Sequence, residues 1–305
     1  MFKQIIKLLI LFSWFLLLSN TFLYAAGKVE VVTTSGDLAD LTEEIGGDRV
    51  KVVSLSRGEQ DLHYVEPRPS MVIKLKNADL LVKIGMDLDI WVDSLINASR
   101  NSGIVYGAKG YVDASVGIMR LGVPSIKLDA SMGHLHIYGN PHYLIGPQNI
   151  PVVLENILKG LVRVSPGDAE YFRKNKNEYL SKFNRALSEW EKQMAPFKGF
   201  KIVTYHKSWE YFAHYFGLEI MGNLEPKPGI PPSPSHLDSL IERMKTEKAG
   251  LIIQETFHPK RTGEMVARET GAEFLVLPAS VGAMGTKNYF ELFDYIVKEI
   301  CSSLK

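Results

Sequence analysis

Four side chains in this sequence combine metal-ligand chemistry with positions that a sheet would bring together. His63 lies in a loop just beyond the β-rich run 50–55, His206 directly follows the run 201–205, and Glu255 directly follows the run 251–254. In open parallel sheets, ligands bind in the crevice beyond the carboxyl ends of the strands. His142 sits in a loop that leads from one half of the chain towards the other, and so can reach the same crevice. Imidazole nitrogens and carboxylate oxygens are ligands for divalent transition metals. The alternative for each residue is ordinary: a side chain satisfied within the fold or exposed to water. Of the eight histidines, His214 falls inside an amphipathic helical pattern and reads as structural, His236 as a loop or helix-start residue, and His258 as exposed. His134 and His136, in Gly133-His134-Leu135-His136, either face one side of an extended segment and bind metal or belong to a solvated loop. Spacing alone does not separate those two readings. The single cysteine, Cys301, excludes an intramolecular disulfide framework and any multi-cysteine zinc cluster. A transition-metal site here is therefore built from histidine and carboxylate.

The elements that must position these residues follow from hydrophobic periodicity. Runs at 29–33, 50–55 and 80–84 read as strands, and 37–45, 70–77 and 88–99 as helices. This βαβα rhythm argues for an α/β lobe with a largely parallel sheet. From about 107 to 149 the chain is loop-like, with many Gly, Pro, Ser and His residues. A long helical pattern then starts at Ser165-Pro166-Gly167, with Phe172, Tyr179, Phe183, Leu187, Trp190 and Met194 recurring at helical spacings. A helix of roughly 27 residues spans about 40 Å, a length that suits a rigid strut between two lobes. The alternation resumes with strands at 201–205, 218–221, 251–254 and 273–277, helices at 209–216, 235–247 and 261–270, and a terminal helix from near Tyr289. The expected architecture is α/β: two lobes with mostly parallel sheets joined by a long connector helix. The expected division is a leader at 1–26, an N-terminal lobe at 27–164, the connector at 165–197 and a C-terminal lobe at 198–305.

The leader is read from its own chemistry. Lys3 and Lys7 precede the apolar stretch 8–18, and Leu23-Tyr24-Ala25-Ala26 follows. This is the order of a secretory signal peptide, and the apolar core is short for a span of about 20 residues. The alternative is an uncleaved anchor. No cysteine lies near the cleavage region, which excludes a lipoprotein anchor of the bacterial kind. The mature chain is expected to be soluble and exported, to the periplasm in a Gram-negative cell. Of 35 Lys+Arg and 34 Asp+Glu, the leader holds two lysines and no acid, so the mature chain sits near −1. No basic excess supports nucleic-acid binding. Apolar residues make up 46% and charged residues 23%, which is the composition of a globular protein rather than a disordered one.

Several local motifs, in order, carry a resemblance. Asp61-Leu62-His63-Tyr64-Val65-Glu66-Pro67, followed by Pro69-Ser70 and Ala78-Asp79-Leu80, resembles a signature of the zinc/manganese ABC-transporter solute-binding proteins. Asn140-Pro141-His142-Tyr143 is similar to that family's second signature, and Thr204-Tyr205-His206 with Tyr211-Phe212 and Gly217-Leu218-Glu219 to its third. The loop Lys227-Pro228-Gly229 with Pro232-Ser233-Pro234 also resembles the family's, and the likeness runs from Val29 to the C-terminus. The resemblance implies a helical-backbone metal receptor with His63, His142 and His206 as ligands. It implies capture of a metal outside the inner membrane and delivery to an ABC permease and its ATPase, by a protein expected to be a monomer.

The sequence departs from the family at Leu144 and Gly146 around the second motif, read as packing variation, and in one place that bears on the ligands. Many relatives carry an aspartate ligand after the strand matching 273–277, where this chain reads Leu277-Pro278-Ala279-Ser280-Val281-Gly282 without an acid. The fourth position then falls to Glu255 or to water. Three imidazoles and one oxygen suit Zn²⁺, whereas Mn²⁺ prefers more carboxylate, so zinc is expected ahead of manganese as the transported ligand. A periplasmic zinc chaperone or an adhesin of the same fold stays open as an alternative. A zinc hydrolase is disfavoured, because neither H-E-x-x-H nor G-x-S-x-G occurs in the sequence.

Overall fold

The computed structural model describes residues 27–124, 136–227 and 229–304; the expected leader, 1–26, and His134 lie outside the described residues. Two four-stranded parallel sheets carry the chain. The first holds β1 (Val29–Thr33), β2 (Val50–Ser54), β3 (Leu80–Lys83) and β4 (Tyr111–Asp113) in the order β2-β1-β3-β4. The second holds β5 (Lys201–Thr204), β6 (Glu219–Asn223), β7 (Leu251–Glu255) and β8 (Glu273–Leu277) in the order β6-β5-β7-β8. Each sheet thus begins on an interior strand, moves to one edge and crosses back to build the other side. The strand order reverses beside β1 and again beside β5, and such a reversal opens a crevice at the carboxyl ends of the strands. Covered on both faces, β3 and β7 are buried at every position, which explains the apolar runs Leu80-Leu81-Val82 and Leu251-Ile252-Ile253 with which they open.

Helices flank both sheets: α1 (Gly36–Gly46), α2 (Pro69–Lys76), α3 (Trp91–Ser99) and α4 (Ile150–Val164) with the first, and α6 (Glu210–Phe216), α7 (Pro234–Glu247), α8 (Lys260–Thr270) and α9 (Tyr289–Ser303) with the second. Between them runs α5 (Ala169–Met194), 26 residues long. Phe172, Tyr179, Phe183, Trp190 and Met194 of α5 are buried, the same stripe that the periodicity picks out. The helix is more than a strut. It packs on α1, α4 and α9, and one apolar core runs from Val31 and Leu41 through Phe172 and Phe183 to Leu251 and Phe293. Trp190 Nε1 closes the far end by donating to Asp294 Oδ1 at 2.7 Å. Wide opening of the lobes would expose part of this shared core to water, at about 25 cal/mol for each Å² of apolar surface.

The structure adds two elements in the stretch before α5. β4 is only three residues long, too short for period-2 patterning to register. α4 buries Ile150, Val153, Leu154, Ile157, Leu158 and Leu161, a clear helical stripe that begins with Pro151 in its first turn, where a missing N–H costs nothing. Boundaries shift elsewhere. β6 runs to Asn223, and β7 takes in Glu255, so that glutamate ends the strand rather than following it.

A second contact ties the lobes near the crevice. Asp37, buried in the first turn of α1, accepts from Val281 N at 2.9 Å and from the Ser280 hydroxyl. The backbones approach so closely here that a Cβ on Gly36 would stand 2.5 Å from Val281 O, and one on Gly58 2.3 Å from Ala283 N. The segment that lacks the family's aspartate is therefore held by an acid from the opposite lobe.

Further along α1, Asp40 Oδ2 accepts from Tyr289 N, the first residue of α9, at 2.9 Å. Burial pushes the Asp40 carboxyl from its ordinary 3.8 up to about 7, more than the Tyr289 hydrogen bond lowers it. Because the folded value is raised, ionisation opposes folding: the penalty is absent below the ordinary value, grows as pH rises towards about 7 and is constant above. Asp40→Asn keeps the acceptor and removes the charge. Its gain in Tm over the natural chain is expected to be larger at about pH 8 than at about pH 5. Equal gains at both pH values would refute the assignment.

Candidate metal site

Each of the three sequence-predicted histidines is delivered by a locally determined turn. His63 sits in the 3-10 turn Leu62–Tyr64. Asp61 caps that turn, accepting from His63 N at 2.9 Å, and the same Oδ1 lies 2.7 Å from His63 Nδ1. Trp91 Nε1, at the start of α3, donates to Leu62 O at 3.0 Å and anchors the turn on the first lobe. The Asp61 contact places the ring proton on Nδ1, so that the Nε2 lone pair is the one that faces the crevice.

His142 is set by its neighbour. Asn140 Oδ1 accepts from His142 N at 2.9 Å, while Asn140 Nδ2 donates to Lys207 O at 2.7 Å and to Glu210 Oε2 at 2.9 Å. One amide thereby fixes the His142 loop to the segment that follows His206. Tyr211 OH donates to Asn140 O at 3.0 Å, and Tyr143 OH donates to Ile84 O at 2.7 Å, so the loop is held by both lobes. These contacts account for the Asn-Pro-His-Tyr spelling.

His206 follows β5. Thr204 Oγ1 donates to His206 O at 2.7 Å and accepts from Asn223 Nδ2 at 2.7 Å. His206 Nδ1 lies 2.6 Å from Glu225 Oε2, and Glu225 Oε1 accepts from Gly229 N at 2.9 Å. The arrangement repeats that at His63, a carboxylate holding the far nitrogen so that the near one faces the crevice.

The three rings converge. One nitrogen from each of His63, His142 and His206 lies within 4.8 Å of the other two. Ring centroids are 5.1 Å apart for His63 and His142, 5.2 Å for His63 and His206, and 5.1 Å for His142 and His206. His142 Nε2 is 3.2 Å from His206 Nε2. A further imidazole approaches from the loop side, with His136 Nε2 3.2 Å from His63 Nε2. Beside the rings is a cavity of about 200 Å³ lined by Asp61, His63, Tyr64, His206, Glu225 and His258 among others.

Charge is distributed unevenly over the cluster. Burial, reinforced by the surrounding imidazoles, pushes His142 well below its ordinary value and keeps it neutral. Burial also acts to lower His206, but the Glu225 hydrogen bond and the nearby Glu255 and Asp61 carboxylates outweigh it and raise the value. Asp61 is the converse: burial raises it, and the His63 hydrogen bond and charge bring it below the ordinary carboxylate range.

Glu255 occupies a different place from the histidines. It is fully buried and falls outside the convergent group, with Oε2 3.6 Å from His258 Nε2. Neither carboxylate oxygen has a hydrogen-bond partner among the described residues. His258, expected to be exposed, is instead half-buried: its ring stacks on Tyr205 at 4.0 Å and stands 6.3 Å from His206. Its position three residues beyond the end of β7 explains the difference, since that strand end faces the crevice. His214 is exposed on α6, and His236 lies in the first turn of α7 with Nε2 3.0 Å from Asn223 O. Sequence reasoning assigned no role to Asp61 or Glu225. The strand-end argument that found His206 also covers Glu225, two residues past β6, and Asp61 is marked by its capping position two residues before His63.

Comparison with known proteins gives the family and the fold. The sequence profile of the family described as zinc-uptake complex component A, periplasmic, matches residues 31–302. A putative metal-binding protein of Treponema pallidum is 24% identical over 277 residues, spanning 90% of this chain and 86% of the relative. The manganese ABC transporter substrate-binding lipoprotein PsaA of Streptococcus pneumoniae is 24% identical over 290 residues, spanning 92% of this chain and 90% of the relative. A crystal structure of ZnuA has the same fold, with a TM-score of 0.76 at 22% identity, covering 91% of this chain and 100% of that one. So does a manganese-bound periplasmic metal-binding protein from Candidatus Liberibacter asiaticus, with a TM-score of 0.73 at 24% identity, covering 90% of this chain and 99% of that one. No helix among the described residues is long and apolar enough to cross a membrane. The chain belongs to the zinc-uptake complex component A family, as a metal-binding ABC-transporter substrate-binding protein and not an enzyme.

Proposed function

We propose that the chain captures a single Zn²⁺ ion on His63, His142 and His206 and delivers it to an inner-membrane ABC permease for import. The observation that carries this reading is the convergence of one nitrogen from each ring within 4.8 Å, from segments far apart in the sequence. Zinc is favoured by the donor set. Imidazole suits Zn²⁺, whereas Mn²⁺ is held better by carboxylate-rich shells. The carboxylates Asp61 and Glu225 touch the far nitrogens of His63 and His206, where they orient the rings and offset the cation's charge without binding it. Glu255, the oxygen donor expected from sequence, stands behind His206 as a further buried acid that favours a cation in the crevice. The leader at 1–26 exports the chain to the periplasm, the mature protein acts as a monomer, and 27–164, 165–197 and 198–305 are its lobe, connector and lobe.

Metal titration of the purified mature protein tests the reading. One equivalent of zinc is expected to bind, at least about 10-fold more tightly than manganese, as the Irving–Williams order and the imidazole set both require. Absence of zinc binding, or a preference for manganese, would overturn it.

A further inference from the structure

We infer that His136 supplies the fourth ligand of this site, replacing the carboxylate that the late segment lacks. The inference rests on the three-histidine reading and adds the residue that completes the shell. Residues 277–282 hold no acid, and Ser280 and Val281 are engaged by Asp37. Glu255, the other oxygen donor, is fully buried, with its Oε2 3.6 Å from His258 Nε2. His136 is placed differently, with its Nε2 3.2 Å from His63 Nε2, the same separation that His142 and His206 show between theirs.

That separation has a chemical meaning. For Zn–N bonds of about 2.0–2.1 Å in a tetrahedron, the edge between two nitrogens is about 3.3–3.4 Å. His142 with His206 spans one such edge and His63 with His136 another; His136 lies outside the group of three whose nitrogens are all within 4.8 Å of one another, so the ion would draw it in from the His63 side. Asp61 occupies His63 Nδ1 and Glu225 occupies His206 Nδ1, so in both pairs a lone pair already faces the partner ring. Without an ion, each contact is a single N–H···N hydrogen bond; with one, both partners present lone pairs to it. Asn140, four residues after His136, is the anchored end of this loop, through Leu121 O at 2.7 Å and Lys207 O at 2.7 Å. His136 thus reaches the site on a short tether rather than from a sheet. An all-imidazole shell selects zinc over manganese more strongly than a shell containing aspartate.

X-ray absorption at the zinc edge, with chelator competition for affinity, tests this on the mature protein, His136→Ala and His136→Gln. With one equivalent of zinc, the natural chain is expected to show four imidazole scatterers. Both variants are expected to show three plus an oxygen, with affinity lower by about 100-fold and an unchanged apo Tm. Variants that keep the natural chain's scatterer count and affinity overturn the inference, as does loss of the fourth scatterer on Glu255→Gln instead. A natural chain with three imidazoles and full affinity overturns the role of His136 alone. A natural chain that binds no zinc overturns the three-histidine site as well.

Discussion

Replacing His206 by alanine is expected to lower the affinity for one equivalent of zinc by at least about 100-fold, the upper end of what removing a supporting contact costs a metal site. Of the three proposed ligands, His206 is the one that its surroundings commit most fully. It is buried, its carbonyl accepts from Thr204, and its Nδ1 is held by Glu225. Its removal takes away a donor and leaves the Glu225 charge facing the crevice without its imidazole. His63→Ala and His142→Ala act in the same direction. Because the ligands act together on one ion, the double variant His142→Ala/His206→Ala loses less than the combined single losses. Competition against a chelator of known affinity reads all three effects. A change of less than about threefold for His206→Ala would mean that the ion sits elsewhere.

Acid is expected to release the metal, with zinc affinity falling about 10-fold for each pH unit once the first ligand takes a proton. His206 is that ligand, because Glu225, Glu255 and Asp61 outweigh its burial and raise its value above the ordinary imidazole range. The loss therefore begins above about pH 6.5, the unperturbed histidine value. Glu225→Gln removes the largest raising contribution and is expected to move the onset to lower pH. The metal-free protein responds in the opposite sense at this residue. A raised folded value means that His206 contributes stability that is fully present below about pH 6.5 and lost as pH rises through the folded value. His142, lowered by burial and by its imidazole neighbours, contributes stability at neutral pH that is lost as pH falls. Zinc affinity measured between about pH 7.5 and pH 5.5 checks the prediction. A flat profile would contradict it.

The fold was largely legible because its signals are local and repetitive. Buried parallel strands announce themselves as apolar runs, and the stripe of Phe172, Tyr179, Phe183 and Trp190 marks α5 over its length. β4 escaped because three residues cannot show a period. α4 lay between a loop-rich stretch and the stronger α5 pattern, although its own stripe is regular.

The site divides along the same line. The meeting of His63, His142 and His206 was legible because strand ends and local turns place them, and each turn is encoded within a few residues: Asp61 beside His63, Asn140 beside His142, Thr204 beside His206. What stayed hidden depends on which strand ends face each other. Glu225 reaches His206 across 19 residues of sequence, and His258 is drawn against Tyr205 by the path of the chain after β7. His136 meets His63 across 73 residues of sequence, a distance at which spacing gives no guide. Glu255 shows the limit of the strand-end argument. The rule places it near the crevice, but its side chain belongs to the buried interior of β7.

The central claim is that imidazoles from three distant segments hold one divalent cation between the lobes. A crystal structure of the zinc-loaded mature protein, with diffraction data collected at the zinc absorption edge, tests it most directly. The account predicts one dominant anomalous peak about 2.0–2.1 Å from Nε2 of each of His63, His142 and His206. A dominant peak elsewhere on the molecule, or a peak touching fewer than two of these rings, would contradict it.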